Sequence, residues 1–291
     1  AAKYGNGWSW NDYDASYMPE RSPFPIHGNI VTIRDTAHTV PGIFINKATY
    51  AGAYQNGYRI ERTYDGIFNA VESKTKFNGD EIPFVTGQST TNRLLKEILG
   101  KVQVFASESQ VKAADPRRII YSQPTDSLLK PMMHRSDNFF AEQSLLMVSN
   151  QLLGEMNDAR VIDSIMKTDF RDLPQQPRWA DGSGLSRYNL FTPQDLVFIL
   201  NKMKEEYGME RIKEIFPTGN EGTLRNYYTT EEGYIYAKTG TLSGVVAISG
   251  FLYTTENKLL VFSVLVNNHR SSATDVRRAV ERFIRELRKK G

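Results

Sequence analysis

Three short runs in this chain carry residue types that could do chemistry together. Ser136-Asp137-Asn138 stands at the start of an apolar helix. About a hundred residues later, Lys238-Thr239-Gly240-Thr241 closes a predicted strand and is followed by a long apolar one. Between them lies Asp181-Gly182-Ser183-Gly184-Leu185-Ser186, which spacing alone makes a Gly-rich loop. A hydroxyl at Ser136 can relay a proton to a leaving amine, and the Asn138 amide can hold both a catalytic lysine and a substrate peptide oxygen. Lys238 and the neighbouring hydroxyls put an ammonium and O–H donors at a strand edge, where a substrate carboxylate could dock. Gly240 lets the substrate lie against that strand as an added edge. The backbone N–H near Thr241 would then serve as an oxyanion donor. Either tripeptide alone occurs readily on ordinary surface. Their order, their separation and their places on a helix start and a strand make the pair specific.

The elements that position these groups follow from pattern. Residues 1–118 are strand-like and loop-rich: Gly28–Arg34 alternates around Val and Ile, Gly42–Ile45 is a short apolar run, and Asn56-Gly57 and Asn78-Gly79-Asp80 are turn signals. A helix is predicted from Asn92 to Leu99, ended by Gly100. From 119 onward helices dominate. Thr125 or Asp126 can cap a helix carrying Leu128, Leu129, Met132 and Met133 at helical spacing, 139–153 is a strongly apolar helix, and Thr192-Pro193 opens another. A meander follows over Gly233–Thr239, Val245–Thr254 and Lys258–Val266, with Thr255-Glu256-Asn257 as the connecting turn. An amphipathic helix over Thr274–Leu287 ends the pattern, with Val276, Val280, Phe283, Ile284 and Leu287 on one face.

Composition excludes several classes. The apolar fraction of 40% and charged fraction of 24% are ordinary for a globular protein. A net charge of +3, from 36 basic and 33 acidic residues that are interspersed, gives no footprint for nucleic acid. The basic cluster Arg285–Lys290 reads as favourable charge at a helix C-terminus. There are no cysteines, hence no disulfide, thiolate or Cys-metal chemistry. No two of His27, His38, His134 and His269 stand at i,i+4, so a zinc helix is absent and neither metal nor cofactor is expected. No apolar run approaches the roughly 18 residues of a membrane span, and no charged-then-apolar leader opens the chain.

Ser-Asp-Asn and Lys-Thr-Gly, with Ser-x-x-Lys, form the signature of serine β-lactamases and penicillin-binding proteins. The chain resembles the D-alanyl-D-alanine carboxypeptidase/endopeptidase family, the class C low-molecular-mass penicillin-binding proteins, almost end to end. Gly7-Trp8-Ser9-Trp10-Asn11-Asp12-Tyr13, His134–Asn138 with Ala141-Glu142, Asp181–Arg187, Gly222–Arg225 and Lys238–Val245 are the stretches that carry the likeness. The resemblance implies an α+β fold, with 119–291 as the C-terminal part of the penicillin-binding domain (helices on an antiparallel sheet). It makes 1–118 the later part of an inserted β-rich domain. It further implies acyl transfer on D-Ala-D-Ala of peptidoglycan stem peptides, β-lactams as inhibitors, and a place in the periplasm or cell envelope. Ser136, Asn138 and Lys238 would be catalytic, with Thr239, Gly240 and Thr241 binding substrate.

In that family the nucleophilic Ser-x-x-Lys precedes the Gly-Trp segment, which here begins at residue 7. The nucleophile is therefore expected upstream of Ala1, in a missing N-terminal part that would partner this chain. The pattern also occurs at Ser73/Lys76, Ser109/Lys112, Ser127/Lys130 and Ser164/Lys167. The chemistry needs Ser and Lys one turn apart at the N-terminus of a buried helix, where desolvation lets the amine act as a base. Only Ser73 with Lys76 stays open as a weak candidate, because it precedes Ser136 by about 60 residues, as in compact members of the superfamily. Two alternatives follow: a non-catalytic homologue that binds cell-wall peptide, or a compact β-lactamase-like enzyme using Ser73.

Overall fold

A computed structural model describes residues 2–35, 38–44, 48–54, 59–63, 68–73, 79–100 and 121–290. The chain divides into two compact units, Ala1–Ser122 and Gln123–Gly291. The architecture is α+β.

In the first unit, strands β1 (Ile30–Asp35), β2 (His38–Val40) and β6 (Asp80–Pro83) form an antiparallel sheet in the order β2-β1-β6. Strands β3 (Ala48–Tyr54), β4 (Arg59–Arg62) and β5 (Phe68–Ser73) form a second sheet in the order β3-β5-β4, with β3 and β5 parallel. Val31 and Ile33 point inward from β1, two residues apart as the pleat requires, onto Phe44, Ile60, Phe68, Ile82, Phe84 and Leu94. Gly42-Ile43-Phe44, strand-like in sequence, is a 3-10 turn instead, and its Phe44 ring stacks on Phe84 at 5.0 Å. The cluster it joins needs the ring, not the extended backbone. Helix α1 (Gln88–Leu99) begins four residues before its predicted start and is closed by Gly100 in the left-handed region, φ 65°. The turn signal at Asn56-Gly57 and the Asn78 end of the second one lie outside the described residues.

In the second unit, strands β7 (Ile235–Leu242), β8 (Val245–Tyr253) and β9 (Leu259–Asn267) make an antiparallel meander in that order. The turn at Thr255-Glu256-Asn257 falls where the sequence puts it, with Asn257 at φ 61°. β7 runs on past its predicted end at Thr239, so Lys238-Thr239-Gly240-Thr241 lies within the strand. A short turn then reverses the chain at Gly244, φ 75°. Alternation gives β7 two faces. Ile235 and Ala237 join Leu224, Ile248, Val280 and Ile284 in the core under helix α6 (Ala273–Lys290). Tyr236 faces the other way, toward Leu200, Ile212, Phe216 and Phe251, in the core under helix α5 (Pro193–Ile215). Leu129 and Met133 bring helix α2 (Asp126–Arg135) onto that second core. Helix α3 (Asn138–Leu153) packs Leu145 on Val161 and Ile162 of helix α4 (Asp158–Lys167), an element not singled out by pattern. Among the described residues no helix is long and apolar enough to cross a membrane.

Candidate active site

The junction between α2 and α3 is one sharp corner made by three residues. Ser136 caps the C-terminus of α2 in the left-handed region, φ 56° and ψ 52°. That conformation is uncommon for a residue with a Cβ, and holding it costs about 1 kcal/mol. Asp137 returns to extended backbone and caps α3, its carboxylate accepting from Phe140 N–H at 3.0 Å. Asn138 is the first residue of α3 and is half-buried. A backbone outlier that is over-determined by two helix ends is a pointer to function.

Lys238 meets that corner. Its side chain continues the Tyr236 face of β7, and its ammonium donates to Ser136 Oγ at 2.7 Å across 102 residues of sequence. It donates again to the Thr239 carbonyl at 2.6 Å. Neither partner carries charge, and burial pulls the Lys238 ammonium down to a pKa of about 8. Two of the runs singled out by pattern thus meet at hydrogen-bond distance. Gly240 is exposed, and a Cβ there would touch only the Ala247 side chain at 3.6 Å, an ordinary contact. Packing therefore does not demand glycine at this position. Thr241 is exposed and accepts from Arg277 Nη2 at 2.6 Å.

The third run is a braced loop. The buried Asp181 carboxylate accepts from Gly184 N–H at 2.9 Å, Ser186 N–H at 2.7 Å and Asn189 Nδ2 at 2.7 Å. Buried Glu142, on α3, accepts from Ser183 N–H at 2.8 Å. A Cβ at Gly182 would meet the Ala141 carbonyl at 2.9 Å, so the loop can lie this close to α3 only with glycine there. At its far end Arg187 Nη2 donates to the Ser243 carbonyl at 3.1 Å, in the turn after β7.

A model of the D-Ala-D-Ala carboxypeptidase 3 (S13) family matches residues 2–287. The chain belongs to this family. It is 28% identical over 307 aligned positions to the D-alanyl-D-alanine carboxypeptidase DacB of Haemophilus influenzae, covering 91% of this chain and 62% of that protein. It is 39% identical over 101 residues to the D-alanyl-D-alanine carboxypeptidase of Actinomadura sp. strain R39, covering 32% of this chain and 19% of that one. The chain thus spans less than two thirds of either relative's length. The fold is similar to the crystal structure of penicillin binding protein 4 from H. influenzae, with TM-score 0.78, 19% identity, and 99% of this chain and 72% of that chain covered.

The S13 chain's Ser-x-x-Lys pairs fare differently from its other motifs. Ser127 and Lys130 are both exposed on α2, and Lys167 is spent on Asp163 at 2.6 Å. Ser73 closes β5, extended backbone rather than the first turn of a helix, and Lys76 lies outside the described residues, as do Ser109 and Lys112. Sequence reasoning gave no role to Glu142, Arg187 or Arg277. Glu142 was visible only as part of a family stretch, and Arg277 not at all, because α6 carries so many charges that none stands out. Arg285, read as part of a basic cluster at a helix C-terminus, also pairs with Glu231 and Glu281, each at 3.0 Å.

Proposed function

We propose that the whole protein is a serine D,D-carboxypeptidase/endopeptidase of the periplasm or cell envelope, acting on D-Ala-D-Ala of peptidoglycan stem peptides and inhibited by β-lactams. The observation that carries this reading is the 2.7 Å contact between Lys238 Nζ and Ser136 Oγ. Residues 119–291 then act as the C-terminal part of the penicillin-binding domain and residues 1–118 as the later part of the inserted domain. The nucleophilic serine in this reading belongs to a Ser-x-x-Lys that precedes the Gly-Trp segment, as the family order implies; of the pairs within the chain, Ser127 and Lys130 are exposed on α2 and Lys167 is paired with Asp163.

In this mechanism the serine attacks the penultimate D-Ala carbonyl and forms an ester as the C–N bond breaks, its hydroxyl proton ending on the departing amine by relay through Ser136. Lys238 donates to Ser136 Oγ, so Ser136 is an acceptor toward the lysine and its own O–H points elsewhere, to the departing amine nitrogen. Asn138 positions the substrate amide. Lys238, Thr239 and Thr241 hold the terminal carboxylate, Gly240 leaves room for the substrate backbone, and the Thr241 N–H serves the oxyanion. Water then hydrolyses the ester, and a β-lactam stops at that stage because its leaving group stays attached. The test is labelling of the full-length gene product by a fluorescent penicillin: Lys238→Ala abolishes labelling, and undiminished labelling of that variant counts against the site.

A non-catalytic cell-wall-peptide-binding homologue is the second reading, favoured by the exposed setting of Ser127 and Lys130. Full-length protein that binds a stem peptide but forms no covalent penicillin adduct decides for it.

A further inference from the structure

The last turn of α2 carries a titratable group that the mechanism does not use. His134 stands two residues before Ser136, and its Nε2 is buried with no hydrogen-bond partner among the described residues. Against this turn lies a 3-10 turn, Gly222–Leu224. A Cβ at Gly222 would stand 2.6 Å from the His134 carbonyl oxygen and 3.0 Å from its Cα. Gly222 also has φ 48°, so only glycine lets the two backbones come this close.

The same turn is fastened to β7. Just before it, Thr218 bridges to Tyr236, and the Ala237 N–H donates to the Pro217 carbonyl at 3.1 Å. Leu224 shares a core with Ile235 and Ala237. The segment 217–224 therefore links the two elements whose meeting makes the site: the helix that ends at Ser136 and the strand that carries Lys238.

The charges around the imidazole do little to welcome a proton. Burial holds His134 below the ordinary histidine pKa, and Lys130, one turn back on α2, acts the same way. Glu221, at the head of the 3-10 turn, acts in the opposite direction without reversing the shift. Charges on the other neighbours are engaged elsewhere. Arg211 of α5 is held by Asp126 at the far end of α2, Asp137 caps α3, and Lys238 of β7 is on Ser136 Oγ. Arg135 and Arg225 are exposed. A protonated imidazole donates from both nitrogens, and a buried cationic N–H without an acceptor is costly. To find one, the ring must swing out or the turn must move, and either parts α2 from Gly222.

Resting on the peptidase reading above, we propose that His134 is a positioning residue: as a neutral imidazole it keeps the end of α2 seated on the Gly222 turn, and with it Ser136 against Lys238. Protonation releases that contact, so acid switches acylation off.

The experiment measures the second-order rate constant for benzylpenicillin on the full-length gene product across the acid range. Wild-type protein is expected to lose about tenfold per pH unit below the His134 pKa. His134→Gln, polar but unable to titrate, is expected to move that limb down by at least about one pH unit. An acid limb unchanged in this variant overturns the proposal. So does a limb that shifts with His269→Gln instead; His269 adjoins the turn after β7, its N–H donating to the Gly244 carbonyl at 3.2 Å. Should His134→Gln fail to fold, nuclear magnetic resonance of the wild type decides: the His134 ring and the Ser136 amide are expected to titrate together. A Ser136 amide that does not follow the ring sinks the positioning role. Wild-type protein that forms no penicillin adduct at any pH sinks the peptidase reading, and the paired titration then decides the link between His134 and Ser136 by itself.

Discussion

The two units each bury charge, and they treat it in opposite ways. In the first, Glu20 and Arg62 are both almost wholly buried, and opposite charge and polar neighbours compensate them, although Arg62 Nε itself has no hydrogen-bond partner among the described residues. Glu20 accepts from Thr86 N–H at 2.7 Å, Thr86 Oγ1 at 2.6 Å and Tyr4 Oη at 3.0 Å, and pairs with Lys3 at 3.0 Å. Arg62 lies 3.7 Å from Glu20, donates to Tyr4 Oη at 3.1 Å, and stacks over the Tyr13 ring at 3.7 Å. Burial pushes the Glu20 carboxyl up, but the Thr86 hydrogen bonds and Lys3 outweigh it and hold the group below its ordinary value. Lys238 has the burial without the countercharge, and its pKa falls to about 8. The difference separates charge that serves the fold from charge kept available for a ligand.

Breaking each arrangement should therefore have a different readout. Lys238→Ala is expected to abolish penicillin labelling, a loss of at least about a hundredfold given the strength of charged hydrogen bonds, with thermal stability unchanged or raised. Glu20→Ala should leave labelling chemistry alone where the protein still folds. It strands Arg62 as an uncompensated buried charge and should cost the first unit about 3–5 kcal/mol in denaturant unfolding.

The pH dependences sharpen the contrast because their signs differ. The stabilisation from Glu20 is present above its ordinary pKa of 4.5 and disappears as pH falls through the lower folded value. Lys238 works in reverse. Between about 8 and 10.5 the unfolded lysine holds its proton while the folded one has released it, so stability rises with pH across that window. On the proposed reading, the charged form that holds the carboxylate disappears over the same window. The second-order rate constant for benzylpenicillin should fall about tenfold per unit as pH rises above about 8, since it reports the free protein's ionisation. A rate flat up to pH 10 would show that Lys238 is not the group that binds the carboxylate.

Much of the second unit was legible because its signals are local and redundant. Thr192-Pro193 opens α5, its hydroxyl accepting from Asp195 N–H at 3.1 Å, and the β7–β9 meander forms in the expected order with strand ends close to those read from the pattern. Ser136 and Lys238 were legible as motifs, and the family likeness made them face one another; the left-handed backbone of Ser136 at the corner was not legible, because no propensity marks it. Arg277 was invisible for a related reason: helical periodicity reports which face is apolar, and says nothing of where a cation on the other face reaches. In the first unit Gly42–Phe44 misled because a short apolar run serves a strand and a 3-10 turn equally well.

The smallest predicted stability change comes from two glycines on paired strands. Gly250 faces Ala237 across the β7–β8 ladder, and a Cβ there would stand 2.2 Å from the Tyr236 carbonyl and 2.6 Å from Ala237 Cα, with backbone on both counts. Gly250→Ala must push the strands apart and should cost about 1–3 kcal/mol, as overpacking does. Gly240, opposite Ala247, has no such obstruction and no left-handed φ, so Gly240→Ala should shift stability by at most about 0.5 kcal/mol. If glycine is kept at 240 for a substrate lying along β7, the same alanine should still slow acylation by benzylpenicillin. A Gly240→Ala protein that is both as stable and as reactive as wild type would remove the substrate backbone from that stretch of strand.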